Sequence, residues 1–301
     1  MVIEFCPKLN SFSSGSVSSS AHAKMALFND KVTFPRLENL GLEGCESLKY
    51  IFQPSIARIL VSLQELIIND CLKIVAVVGG EEQIEDGQGR ESTVKTLLPH
   101  LSTLELRCLP ELRRFCDFRY PLELPLLSQM VIEVCPRLNS IFSSGSVSSS
   151  AHAQMVLFND KVTFPRLENL EIEGCESLKY TFQPSMARVL VYLQKLIINA
   201  CSKMEAVVGG EEEIEDGQGR KSTDKTLFPH LSKLELRRLP ELRRFCHFRY
   251  PVELPLLSQM KIEDCPRMNS FSLGSVSTPN LFARFVSYDF VGDDTTVTGE
   301  E

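Results

Sequence analysis

Along this chain, apolar residues recur at short fixed intervals that fit neither a long helix nor a long strand. Between residues 37 and 48 they fall at Leu37, Leu40, Leu42, Cys45 and Leu48, and the same spacing returns at Leu167, Leu170, Ile172, Cys175 and Leu178. Alternation is confined to the middle of the frame. In Asn39 to Glu43, Leu40 and Leu42 point one way and their neighbours the other, the period of a strand buried on one face. The frame opens again at Leu63, Leu101, Leu127, Leu193, Leu231 and Leu257, and a truncated first copy uses Ile3, Cys6 and Leu9. Nine units result, and each predicts one short strand.

Successive openings lie 26, 38, 26 and 40 residues apart and so return after 130; residues 31–130 align without gaps on residues 161–260, with 19 differences in 100 positions. The chain is an internal duplication in which long and short units alternate. Its frame, L-x-x-L-x-L-x-x-C-x-x-L, is the signature of a leucine-rich repeat, in which each unit stacks on the next to bury apolar surface it cannot bury alone. The expected fold is an α/β leucine-rich-repeat solenoid, a curved horseshoe with a parallel concave sheet and mostly loops and short helices on the convex side. Pro54-Ser55 ahead of Ile56, Ala57, Ile59 and Leu60 marks one such helix, because proline suits a first helical turn. The repeat domain is expected over residues 1–277, leaving 278–301 as a C-terminal cap or a frayed acidic tail. The extra length of the long units falls at residues 79–91 and 11–23 and their counterparts. Their Gly, Ser and acidic content cannot offset the entropy of ordering, which predicts mobile surface loops.

In a parallel solenoid the outward strand residues form columns on the concave face. The first column is Asn39, Glu65, Thr103, Gln129, Asn169, Lys195, Lys233 and Gln259, and the second is Gly41, Ile67, Glu105, Val131, Glu171, Ile197, Glu235 and Lys261. The third is Glu43, Asn69, Arg107, Glu133, Glu173, Asn199, Arg237 and Glu263. From these, the candidate protein-binding residues are Glu65, Ile67, Glu105, Arg107, Val131, Glu133, Glu171, Glu173, Lys195, Ile197, Lys233, Glu235, Arg237 and Lys261. Ile67, Val131 and Ile197 are read as exposed apolar side chains ringed by charge, the mixture of anchor and rim that protein interfaces use. Any solenoid also needs polar residues toward water, so the columns by themselves name no ligand. Charge changes between the two copies at Gly41/Glu171, Glu65/Lys195 and Thr103/Lys233.

Composition narrows the partner class. Apolar residues are 43%, charged residues 24% and the net charge is -7, which describes a soluble folded protein without the basic excess that phosphate backbones require. Nucleic acid is not an expected partner. The longest apolar runs, such as residues 59–63, fall far short of the roughly 20 residues that span a bilayer, so no membrane span is expected. Glu4, Cys6 and Pro7 stand where a signal peptide would be basic and apolar, and no Asn-x-Ser/Thr acceptor occurs. A cytoplasmic location is expected, with the nucleus also open to the chain.

Ten cysteines invite a metal or disulfide reading, yet Cys6, Cys45, Cys71, Cys135, Cys175, Cys201 and Cys265 all occupy one position of the repeat and no C-x-x-C pair exists. Buried structural thiols follow. Glu81, Glu82, Glu85 and Asp86 lack the spacing of a calcium loop, and no G-x-x-x-x-G-K-[ST] cradle is present. The five histidines complete no Cys-His or Ser-His-Asp set, so the chain reads as a non-enzyme without metal or cofactor.

The phrases Phe34-Pro-Arg-Leu-Glu-Asn-Leu, Leu98-Pro-His-Leu-Ser-Thr-Leu-Glu-Leu, Cys45-Glu-Ser-Leu-Lys-Tyr-Ile-Phe and Val131-Ile-Glu-Val-Cys-Pro-Arg-Leu resemble the C-terminal repeats of plant intracellular disease resistance proteins. The resemblance is to the coiled-coil, nucleotide-binding, leucine-rich-repeat class and covers roughly residues 1–277. It implies a sensor and autoinhibitory repeat domain in defence, with a pathogen effector or guarded host protein and an adjoining nucleotide-binding module as partners. These 301 residues hold neither the coiled coil nor the ATPase module, and Met1 aligns with Met130 in mid-strand. A fragment of a longer receptor is therefore expected, with apolar surface unpaired at its N-terminal edge. The alternative is a stand-alone repeat adaptor, such as the substrate-binding part of a ubiquitin ligase.

Overall fold

The repeating frame becomes one ladder of parallel strands. In the computed structural model, which describes residues 1–9, 11, 26–29, 34–79, 95–117, 122–141, 156–160, 162–209, 226–247, 251–281 and 283–286, the main sheet has ten strands in chain order. They are Val2–Glu4 (β1), Asn39–Glu43 (β2), Glu65–Asn69 (β3), Thr103–Arg107 (β4), Gln129–Glu133 (β5), Asn169–Glu173 (β6), Lys195–Asn199 (β7), Lys233–Arg237 (β8), Gln259–Glu263 (β9) and Ala283–Val286 (β10). From β2 to β9 each frame position pairs with the same position of the next unit, for example Leu40 with Leu66, Leu66 with Leu104 and Leu170 with Leu196. Two inward rows result, and all their members in β2 to β8 are buried. Each fully buried leucine contributes about 2 kcal/mol by removal from water.

The turn after each strand explains the cysteine column. Phe5, Gly44, Asp70, Cys108, Val134, Gly174, Ala200, Arg238 and Asp264 all take left-handed backbone, with φ between 48° and 63°. Only the two glycines do so without steric cost. The residue after each then drops back into the core. It is a cysteine in seven units and Leu109 or Leu239 in the other two. The cysteine fits because it is small and because its thiol donates to the carbonyl two residues earlier: Cys71 to Asn69 at 3.3 Å, Cys135 to Glu133 at 3.5 Å, Cys201 to Asn199 at 3.4 Å and Cys265 to Glu263 at 3.4 Å.

All ten cysteines are free, and eight are buried; Cys6 and Cys108 are half-buried. Burial pushes the Cys71 and Cys135 thiols up to about 12 and raises Cys116 and Cys246 well above the usual value. A hydrogen bond with Cys201, together with burial, raises Cys175 as well. Because the thiolate is the reactive form, brief treatment of the folded protein with N-ethylmaleimide near neutral pH is expected to label Cys6 and Cys108 alone, and all ten after denaturation. Rapid native labelling of Cys71 or Cys135, mapped by mass spectrometry, would contradict the buried ladder.

The return path differs in detail from the loops and short helices expected there. Short parallel ladders run along it: Ala26–Phe28, Tyr50–Phe52, Ala76–Val78 and Arg114–Cys116 form one four-stranded sheet, and Val156–Phe158, Tyr180–Phe182, Ala206–Val208 and Arg244–Cys246 form its duplicate. The backbone of Ile141 links the two, accepting from Phe115 and Cys116 and donating to Leu157. The helix expected after Pro54 is present as Pro54–Ile59 (α1), with its duplicate Pro184–Val189 (α2). Neither has a side-chain cap, and six residues alone would not hold a helix, so the burial of Ile56 and Ala57, and of Met186 and Ala187, holds them. Serine hydroxyls tie neighbouring units together, Ser102 to the Gln64 carbonyl at 3.0 Å and Ser232 to that of Gln194 at 3.1 Å.

The ladder also extends past the last unit recognised in the sequence. Ala283–Val286 pair in parallel with Gln259–Ile262, so a tenth strand lies where the tail was expected to leave the repeat. The segments expected as mobile loops, residues 79–91 and 11–23 and their counterparts, lie almost wholly outside the described residues, as do residues 287–301.

Candidate protein-recognition face

The strand register brings the three columns together on the solvent face of the main sheet. Glu65, Thr103, Gln129, Asn169, Lys195, Lys233 and Gln259 are successive partners, as are Ile67, Glu105, Val131, Glu171, Ile197, Glu235 and Lys261, and Asn69, Arg107, Glu133, Glu173, Asn199, Arg237 and Glu263. Every candidate residue lies on this one face, and adjacent parallel strands are roughly 4.8 Å apart, so neighbouring columns can satisfy one another.

That is what the charges do. Arg107 bridges Glu105, at 3.1 Å, and Glu133 on the next strand. Burial opposes its charge, but the two carboxylates raise its pKa above the usual arginine value. Lys195 meets Glu171 at 2.7 Å, Lys233 meets Glu235 at 2.9 Å, and Lys261 meets Glu263 at 2.7 Å; the Lys261 ammonium holds the Glu263 carboxyl below its usual range. Glu235 departs from the sequence expectation. It is 8% exposed, held beneath Lys233 and Arg237, and so presents little surface of its own. Ile67, Val131 and Ile197 are half-buried among these charged chains, not fully exposed.

Arg238 joins the face although the columns omitted it. From the turn after β8 it donates to Asn199 Oδ1 at 3.0 Å and reaches Glu173 at 3.3 Å, two strands away. Its position directly after the third column was the available signal. In the first copy Cys108 stands there, and among the described residues Glu4, Glu43 and Glu65 carry no ion pair. The two copies thus differ in charge along one continuous face, acidic over β1 to β3 and internally neutralised over β6 to β9.

Several other polar groups tie neighbouring units together. His230 Nδ1 lies 2.7 Å from the Val191 carbonyl just after α2, and His100 meets the Val61 carbonyl in the same way. On the return path Glu205 replaces Val75 of the first copy, binding Lys179 at 3.0 Å and accepting from Tyr180 at 3.4 Å. Burial and this carboxylate raise the Tyr180 pKa. Among the described residues, no group of three His, Cys, Asp or Glu is placed to hold a metal ion.

The family model for "Plant disease resistance protein RPS2-like, leucine-rich repeats" matches residues 11–157 and again residues 147–277. The chain belongs to that family. These plant disease resistance repeats are also similar to a probable disease resistance protein of Arabidopsis thaliana, 27% identical over 145 residues, which is 48% of this chain and 11% of the relative. The chain thus matches about a tenth of that relative's length. No solved structure matches. Two family matches, one on each copy, restate the duplication, and the disease resistance repeats here form a plant defence repeat domain of mostly parallel strands. Among the described residues no helix is long and apolar enough to cross a membrane.

Proposed function

We propose that the solvent face of the main sheet is a protein-recognition surface, and that this domain is the sensor and autoinhibitory part of a plant immune receptor whose nucleotide-binding module lies elsewhere in a longer polypeptide. Its work is binding, not catalysis. The observation that carries the reading is the unbroken in-register face, on which Ile67, Val131 and Ile197 stand half-buried among paired charges. Such a surface offers apolar anchors within a polar rim. A pathogen effector or a guarded host protein is the partner class, and the cytoplasm, or the nucleus, is where it would be met. The match to disease resistance repeats favours this reading over a ubiquitin-ligase adaptor. Coupling to the nucleotide switch would be a population shift, limited by the ligand's differential affinity for the two states.

The test places a photo-crosslinking residue at Ile67, Val131 or Ile197, and at the exposed turn positions Lys73 and Lys203 as controls, in the receptor expressed in challenged plant tissue. Crosslinks to one partner at the three sheet positions, lost on Arg107→Glu, are expected. Equal yields at Lys73 and Lys203 would remove the face from consideration.

A further inference from the structure

In the second copy three adjacent strands build a seat for a guanidinium. Glu173 closes β6, Asn199 closes β7 beside it, and Arg238 returns from the turn after β8, donating from Nε to Asn199 Oδ1 at 3.0 Å and from Nη2 to Glu173 at 3.3 Å. The first copy repeats the seat without its occupant. Glu43 and Asn69 are register partners like Glu173 and Asn199, and Cys108 takes the place of Arg238. The turns that set the geometry agree: φ is 52° at Cys108 and 50° at Arg238, and 62° at Gly44 and 63° at Gly174. Gly44 donates to the Asn69 carbonyl at 3.2 Å as Gly174 does to that of Asn199 at 3.0 Å.

Among the described residues, neither the Glu43 carboxylate nor the Asn69 side-chain amide has a partner. The cause is Cys108. Glu173 is served from two strands downstream, and in the first copy that strand, β4, is in place, while β2 is paired on both sides. Three further differences between the copies favour a cation from outside. Asp70 stands where the second copy has Ala200, which adds a carboxylate in the turn next to Asn69. Glu65 and Gly41 stand where the second copy has Lys195 and Glu171, so the ion pair of those two at 2.7 Å, beside Ile197, has no counterpart beside Ile67. A strand rises about 3.3 Å per residue, so Glu65 lies about 13 Å along β3 from Asn69, with Ile67 midway on the same face.

We propose that Glu43 and Asn69 bind an arginine side chain of the recognised protein, on an extended segment that sets a second cation over Glu65 and an apolar side chain on Ile67. The inference rests on the recognition face proposed above and names the chemistry of its partner. A guanidinium spans both acceptors with its planar fork of donors, as Arg238 does in the second copy, whereas a lysine ammonium brings a point charge without that fork.

The probe is the capped peptide acetyl-Arg-Ser-Leu-Ser-Arg-amide, titrated into chain 1–301 while the asparagine side-chain amides are followed by NMR. Asn69 is expected to shift, and Asn199, whose seat is filled, is not. Citrulline in place of both arginines, Glu43→Gln, or Cys108→Arg, which supplies the occupant from within, should each weaken binding about tenfold or more. Arg238→Ala should make Asn199 respond as well. The second copy already carries arginine at this turn, so Cys108→Arg should keep the parent's melting temperature. No shift at Asn69, or a shift that survives Cys108→Arg, overturns the proposal. Crosslinking from Val131 in plant tissue reads the two ideas apart. Partner capture there that Cys108→Arg leaves undiminished refutes the arginine seat while the recognition face stands; no capture at Ile67, Val131 or Ile197 beside intact peptide binding removes the face and leaves the seat.

Discussion

Leu170→Asp is expected to unfold the units around β6, whereas Glu171→Ala should leave the melting transition nearly in place. The two positions are adjacent, and only strand parity separates them. Leu170 is fully buried, between Met130 on one side and Leu196 on the other. Truncating such a leucine costs about 2–5 kcal/mol, and an aspartate adds the penalty of a buried, unpaired carboxylate, which the inward rows have no group to relieve. Glu171 stands on the solvent face and pairs with Lys195 at 2.7 Å, an exposed ion pair worth about 0–1 kcal/mol. In a solenoid each unit is stabilised through its neighbours, so a defect in the sixth of ten strands uncouples the two copies. Urea unfolding of the two variants beside the parent is the measurement. Equal stability of Leu170→Asp and Glu171→Ala would refute the assigned facing of the strands.

The parts of this fold that the sequence displays are those built from a period. Leu40 and Leu42 fix which way a strand faces, and their recurrence fixes the register that joins Leu66 to Leu104 and Leu170 to Leu196. The cysteine column was equally legible, because Cys45 and its six counterparts keep one distance from the strand. The return strands were not. Tyr50–Phe52, Ala76–Val78 and Arg114–Cys116 are three residues each, too short to show alternation, although each begins seven residues after its main strand ends. Ala283–Val286 was missed because it carries neither the leucine frame nor the following cysteine; its backbone pairs with β9 all the same. On the face, parity placed Glu235 outward correctly but could not show that Lys233 and Arg237 close over it. Nor could it show Arg238 returning from the turn to Glu173. Position along a strand is local information, whereas what covers a side chain depends on the length and charge of neighbours in other units.

The largest loss of stability on the return path is expected at Phe158→Ala. Phe158 is fully buried and packs edge-on against Phe164 and stacked on Phe182, each at 5.3 Å between ring centres. From Phe182 the contacts run on to Phe228 at 5.1 Å, Phe245 at 6.4 Å and Phe271 at 4.6 Å, a spine of six rings through the second copy. Truncation of a buried phenylalanine costs about 3–5 kcal/mol, and here it also removes two aromatic contacts of about 0.5–1.5 kcal/mol each, partly counted in that figure. Phe228 offers the control, because the first copy has Leu98 at that position, also fully buried. Phe228→Leu therefore tests a substitution that the same architecture already accommodates, and it should cost under about 1.5 kcal/mol. Both variants keep the main sheet untouched, so the difference between them in urea unfolding isolates the spine. If Phe158→Ala proved no more destabilising than Phe228→Leu, the rings would be filling space that neighbouring residues can close, and the second copy would owe its stability to the main sheet alone.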